Sequence, residues 1–234
     1  MNQNTNYWVV IPAAGIGTRM RADRPKQYLQ IHQKTVIEHT LSVFINMPEI
    51  KGIVVSLAEH DAYWPKLPVA QHDKIIEAPG GLERCHSVLN GLSELNDMAD
   101  DNDWVLVHDA ARPCLLATDV RHLIKECETN NTGGILALPV RDTMKRSGSQ
   151  GEIIDTVERE GLWHALTPQM FRLGELRKAL AKAVNTQELV TDEAQAMERA
   201  GQKPLLVEAN PANLKITRPA DLELATFYLN SEDT

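Results

Sequence analysis

Three short segments of the 234-residue chain combine residue types that can handle phosphate. From Pro12 to Met20 the chain reads PAAGIGTRM, small residues and glycines followed by Arg19, and Pro25-Lys26 comes soon after. Residues this small let backbone N–H groups approach a phosphate closely, and two cations beside such a loop favour an anionic ligand. The loop is not a dinucleotide fingerprint, because Met20 stands where the third glycine is required, and no G-x-x-x-x-G-K-[ST] follows a strand. The second segment, VLVHDAAR from Val105 to Arg112, places Asp109 and Arg112 directly after an apolar run. His108-Asp109 has the look of half a catalytic triad, yet no G-x-S-x-G elbow accompanies it, so His108 reads as a hydrogen-bonded structural residue. The third segment, NLKITRP from Asn213 to Pro219, carries Lys215.

These segments need a scaffold, and the rest of the chain supplies a rhythm of short apolar strands and amphipathic helices. Strands are expected at Trp8–Ile11, Gly52–Leu57, from Ile75 to the Pro79-Gly80-Gly81 turn, and at Trp104–Val107, Gly134–Val140 and Leu205–Glu208. Their continuous apolar runs fit strands buried on both faces. Thr35 with Glu38 forms a capping box for a helix through about Asn46. Cys85, Val88, Leu89 and Leu92 make one helical stripe, and Val120, Leu123, Ile124 and Cys127 another, with Thr118 as its expected cap. Further helices are expected near Leu176–Val184, from Thr191, and after Thr217. The fold class is therefore α/β: a doubly wound, mainly parallel, Rossmann-like sheet with helices on both faces. In such a sheet ligands bind at the carboxyl ends of the strands, where the PAAGIGTR loop and Asp109 lie.

The rhythm breaks over 142–167, where two strand-like pieces, Thr143–Lys145 and Ile153–Val157, flank the turn Ser147–Gly151. A lone hairpin is marginal in water. The expectation is one domain, 1–234, with a projecting β-hairpin arm at 142–167 that packs on a second subunit.

Bulk composition narrows the classes. The formal net charge of −8 argues against a broad nucleic-acid surface. It leaves room for one small anionic ligand where local cations prevail. Cys85, Cys114 and Cys127 form no CxxC pair, which points to a reducing cytoplasm and neither a disulfide framework nor a zinc site. No run approaches a membrane span, and the polar N-terminus does not read as a leader. His32, His39, His60, His72 and His86 show no metal-ligand spacing.

G-x-G-T-R-M followed by P-K resembles the signature of nucleotidyltransferases that activate sugars with nucleoside triphosphates. VLVHDAAR is similar to the signature of the 2-C-methyl-D-erythritol 4-phosphate cytidylyltransferases of non-mevalonate isoprenoid biosynthesis. Gly80-Gly81-x-x-Arg84-x-x-Ser87, PVRDTMK, WHALTPQ, TDEA and NLKITRP extend the resemblance, in order, over nearly the whole chain. The resemblance implies that CTP is joined to methylerythritol phosphate with release of pyrophosphate. Ribitol 5-phosphate is the alternative acceptor. It further implies Arg19, Lys26 and Lys215 as catalytic cations and Ala13, Ala14, Gly15, Gly81, Ser87, Asp109 and Ala110 as the CTP site. Asp109, Arg112, Thr143, Arg159, Thr167 and Lys215 then surround the acceptor, with Thr143 and Arg159 arriving from a partner's arm in a homodimer. Magnesium, or another divalent cation, is the implied cofactor, with Asp109 as the one candidate carboxylate. Asp192 and Glu193 need no more than a structural role in the first turn of a helix.

Overall fold

The computed structural model describes residues 5–15, 20 and 22–232. Arg19 therefore lies outside the described residues, and the expectation placed on it concerns a part of the loop not described further. A seven-stranded sheet runs in the order β11-β7-β10-β6-β1-β4-β5. Its strands are β1 (Tyr7–Pro12), β4 (Ile50–Leu57), β5 (Ile75–Pro79), β6 (Trp104–Val107), β7 (Gly134–Pro139), β10 (Trp163–Arg172) and β11 (Leu205–Glu208). All pair in parallel except β10, which runs antiparallel between β6 and β7.

The continuous apolar strands are explained by helices on both faces. Val9 and Ile11 of β1 join Ile37, Leu41 and Phe44 of α1 (Val36–Ile45) and Val120 and Leu123 of α3 (Ala117–Asn130) in one buried cluster. The alternate residues Trp8 and Val10 meet Val88 and Leu92 of α2 (Arg84–Ser93) and Leu176 and Leu180 of α4 (Leu173–Asn185) in another. Each fully buried side chain of this size contributes about 1.5–3 kcal/mol. A third cluster ties α6 (Pro219–Glu232) to the site, through Ala225 against Cys114, Ala111 and Ile216.

The capping box forms as expected: Thr35 Oγ accepts from the Glu38 N–H, and the Glu38 carboxylate accepts from the Thr35 N–H at 2.7 Å. Two other helix starts differ. α3 begins one residue before Thr118, with Leu116 in the capping position, so Thr118 lies inside the helix. α5 (Glu193–Arg199) starts two residues after the expected Thr191, and the Asp192 carboxylate caps it by accepting from the Gln195 N–H at 2.9 Å.

The 142–167 region divides. β8 (Met144–Ser147) and β9 (Ile153–Val157) form a separate two-stranded antiparallel sheet, exposed along nearly its whole length. Trp163 to Thr167, placed in the arm by sequence, instead open β10 in the centre of the main sheet. The physical reason is Pro168, which cannot donate to a ladder and argues against a central strand. Here it sits at a register shift between Ala165 and Gln169, across a cis Thr167–Pro168 peptide. A minor hairpin of β2 (Gln30–Ile31) and β3 (Lys34–Thr35) completes the fold.

Candidate active site

At the carboxyl ends of β1, β5 and β6 lies a cavity of about 480 Å³. Its walls are the loop Pro12–Gly15, Lys26 and Gln27, the segment Gly81–Arg84 with Ser87, the turn Asp109–Ala111, and Lys215. The expected residues Ala13, Ala14, Gly15, Lys26, Gly81, Ser87, Asp109, Ala110 and Lys215 thus share one pocket, although they come from five separate stretches of chain.

Each wall is held locally. The Ala13 N–H donates to Ser56 O at 2.8 Å, continuing the β1 ladder. Gln27, almost fully buried, donates from Nε2 to the carbonyls of Ala13 (2.6 Å) and Gly15 (3.0 Å), so the small-residue loop is fixed from behind. Across the cavity the Gly80 N–H donates to Leu57 O at 2.6 Å, and a Cβ at Gly80 would sit 2.3 Å from Ala14 Cβ. Only glycine permits that approach of the two loops. Ser87 Oγ accepts from the Gly81 N–H at 3.0 Å, which orders the turn before α2.

Asp109 is the electrostatic centre. Its Oδ1 accepts from Arg84 Nε at 3.2 Å, and its Oδ2 from Arg112 Nε at 3.2 Å and Lys215 Nζ at 2.9 Å. Burial pushes the carboxyl pKa up, but the charges of Arg84, Lys215 and Arg112 outweigh it and hold the group far below the usual carboxylate range. Asp109 is therefore ionised at all working pH values. Arg84 is also gripped in a fork by Glu193, at 2.7 and 3.0 Å, and Arg112 donates to Asn213 O at 2.7 Å. Lys26 Nζ donates to Ile216 O at 2.8 Å, so the two lysines converge through adjacent residues of the 215–216 segment.

His108 and Thr167 lie behind this centre. The Asp109 N–H donates to Thr167 Oγ at 3.1 Å, Thr167 lies 2.9 Å from His108 Nδ1, and His108 Nε2 lies 3.2 Å from Arg112 O. A carbonyl can only accept, so Nε2 carries the proton and Nδ1 accepts from the Thr167 hydroxyl. Burial lowers the His108 pKa to about 4 and keeps the ring neutral. It is a structural residue, as its sequence context indicates. Arg112 and Thr167 reach the site through Asp109 and do not line the cavity. Thr143 and Arg159 are exposed at the root of the arm, away from the cavity walls, with Arg159 donating to Arg141 O.

Sequence reasoning gave no individual role to Arg84 or Gln27, and gave Glu193 only a structural one in the first turn of a helix. Arg84 and Glu193 stand 109 residues apart, and no spacing rule joins them. Among the described residues no group of three or more His, Cys, Asp or Glu could hold a metal ion. A single carboxylate facing a phosphate site still suits magnesium, which takes most of its ligands from phosphate and water. Three N–H donors leave Asp109 one of its roughly four lone-pair sites.

A loop of small residues and converging cations at the carboxyl edge of a doubly wound sheet suit a nucleotidyltransferase. Residues 7–231 match the model of the 2-C-methyl-D-erythritol 4-phosphate cytidylyltransferase family, and the chain belongs to that family. It is 52% identical over 228 residues to the enzyme of that name from Vibrio vulnificus strain YJ016, covering 97% of this chain and 96% of the relative. It is 54% identical over 218 residues to that of Pseudomonas fluorescens strain SBW25, covering 93% of each. The crystal structure of the Francisella tularensis enzyme superposes with a TM-score of 0.84 at 38% identity, over 96% of this chain and all of that one. Among the described residues no helix is long and apolar enough to cross a membrane.

Proposed function

We propose that the protein transfers the cytidylyl group of CTP to 2-C-methyl-D-erythritol 4-phosphate, giving 4-diphosphocytidyl-2-C-methyl-D-erythritol and pyrophosphate. The carrying observation is the convergence of Lys26, Lys215 and Arg84 on one cavity in a chain of net charge −8. An oxygen of the acceptor phosphate attacks the α-phosphorus of CTP, and the bond to the bridging oxygen breaks as pyrophosphate leaves. A phosphate monoester has its second pKa at about 6, so its attacking oxygen is already deprotonated and no general base is required. That agrees with a site whose histidine is buried and neutral.

The obstacle is repulsion between two polyanions, and the chain answers it with fixed positive charge. Lys26 and Lys215 meet the phosphates, joined by Arg19 from the glycine-containing loop. Ala13, Ala14, Gly15, Gly81, Ser87 and Ala110 shape the nucleotide pocket, and Asp109 orients Lys215 on its carboxylate. Asp109, Arg112, Thr167 and Lys215 form the acceptor side. Magnesium would supply further positive charge when bound, and Asp109 is the carboxylate that would hold it.

The protein acts as a homodimer. The arm exposes Ile153 (66%) and Ile154 (63%) side by side on a hairpin too small to be stable alone, and a second copy would cover them and receive Thr143 and Arg159. Three free, buried cysteines accord with a cytoplasmic enzyme. Pyrophosphate release with CTP and magnesium tests the reading, using methylerythritol phosphate, ribitol 5-phosphate and no acceptor in parallel. Release with methylerythritol phosphate alone is expected; release with ribitol 5-phosphate alone would keep the CTP site and overturn the acceptor.

A further inference from the structure

We propose that Glu193, which does not line the cavity, is a positioning residue that sets Lys215 through Arg84 and Asp109. This inference rests on the cytidylyltransferase reading of the site.

Glu193 lies in the first turn of α5, where an acidic residue is favoured by the helix dipole. That role needs no burial, yet Glu193 is completely buried. A buried carboxylate demands a full partner, and both of its oxygens take one, the two terminal nitrogens of Arg84 at 2.7 and 3.0 Å. A two-point fork fixes the plane of the guanidinium. With that plane fixed, Arg84 Nε is aimed at Asp109 Oδ1, 3.2 Å away. With Oδ1 anchored, Oδ2 is set to hold Lys215 Nζ at 2.9 Å, with Arg112 Nε on the same oxygen at 3.2 Å.

Both ends of this chain of contacts are referred to one strand. In β10, Gln169 accepts from the Ala194 N–H at 2.8 Å and donates to Asp192 Oδ2 at 3.0 Å, which seats the start of α5. Two residues earlier, Thr167 receives the Asp109 N–H. The charges also favour positioning over direct phosphate binding. Arg84 stands between two carboxylates, and Glu193 subtracts from whatever attraction Arg84 could offer a triphosphate. A cation meant only for phosphate gains nothing from such a partner. A cation meant to hold Asp109 in one orientation gains its geometry.

The test is a cycle of Glu193→Gln, Arg84→Gln and the double variant. Glutamine keeps the shape of Glu193 but opposes an amide N–H₂ to the guanidinium. A misaimed Lys215 is expected to lower kcat about tenfold or more. In Glu193→Gln, KM for CTP should stay within about threefold, because Glu193 is not among the residues that line the cavity. If Glu193 acts through Arg84, the double variant is no slower than Arg84→Gln alone. A purely structural staple between α5 and α2 predicts a lower Tm with kcat unchanged. That result, or losses that multiply in the double variant, would overturn the proposal. Should Glu193→Gln fail to fold, Arg84→Lys keeps the charge without the fork and is expected to show the same kcat loss. Acylation of Lys215 by an amine-directed reagent, followed by mass spectrometry, reports its restraint without turnover. Faster labelling in Glu193→Gln than in wild type is expected, and equal labelling counts against positioning. If wild type releases no pyrophosphate but the labelling still differs, the functional reading fails and the positioning relation stands.

Discussion

Asp103 enters β6 and Asp109 follows its end, and both are buried, yet they are satisfied by opposite means. Asp103 accepts from neutral donors: the Asn6 N–H at 3.0 Å, Trp8 Nε1 at 3.0 Å, the Asn6 side-chain amide and the Asp100 N–H. Burial pushes its pKa up, and these bonds more than offset that. Asp109 accepts from two arginines and a lysine. Neutral N–H groups have no other charged partner to seek, so Asp103 is a joint that pins the entry to β1 and the 100–103 turn. Cations that line or adjoin a cavity can share themselves with phosphate, which on the proposed function makes Asp109 the organiser of the chemistry. Cavity size does not separate the two ends. The amino-end cavity beside Asp103 is the larger, about 650 Å³ against 480 Å³. Its arginine, Arg172, is stacked over Trp104 with 3.7 Å to the ring centre and donates to Asn102 O.

The sharpest way to break this comparison is to neutralise each aspartate in turn. Asp109→Asn should cost at least the roughly 2.7–4 kcal/mol of transition-state stabilisation seen when one preorganised group is lost, a fall of about 10²–10³ in kcat/KM. Steady-state pyrophosphate release measures it, and a rate within threefold of wild type would remove Asp109 from the centre of the mechanism. Lys26→Ala should fall in the same range at its lower end, since on the proposed function Lys215 and the expected Arg19 would still share the phosphate charge.

Asp103→Asn should do the reverse. Charged hydrogen bonds contribute about 1.5–3 kcal/mol each, and the asparagine retains one accepting oxygen, so a loss of about that size in urea unfolding is expected with kcat within twofold. A stable variant with impaired turnover would mean that the amino end reaches the site after all.

Much of this contrast was legible in the sequence and part of it was not. Val105–Arg112 marks the strand end and its Asp109 by apolar run and residue type alone, and Thr35 with Glu38 marks a helix start, because both signals are local. The hairpin strands β8 and β9 were legible from their turn. β10 was not, because Pro168 interrupts it and its place in the sheet depends on the antiparallel pairings with β6 and β7. Nor was the partner of Arg84, since Glu193 is brought to it only by the packing of α5 against α4 and β10. Asp192–Glu193 reads locally as a favourable helix start, which accounts for Asp192 as the cap and for Glu193 in the first turn but not for the burial of Glu193. Local patterns fix elements; the charges that meet between elements are set by the fold.

Acid titration sharpens the comparison with the smallest effect. Among the groups behind Asp109, His108 is buried with its pKa lowered to about 4. Its unfolded value is about 6.5, so as pH falls from 6.5 the unfolded chain takes the proton first and stability is lost, down to about pH 4. The slope is at most about 1.4 kcal/mol per pH unit. Asp103 has its pKa lowered, so its contribution is fully present above the unfolded value of about 3.9 and is lost only as pH falls through its folded value. Between pH 6.5 and 4 the amino end is therefore silent and the carboxyl end is not. His108→Gln can still donate to Arg112 O and accept from Thr167, but it cannot titrate. Urea midpoints at pH 7, 5.5 and 4.5 should fall in wild type and stay nearer level in His108→Gln. Parallel falls in the two proteins would assign the acid sensitivity elsewhere and leave the two ends of β6 equivalent in this respect.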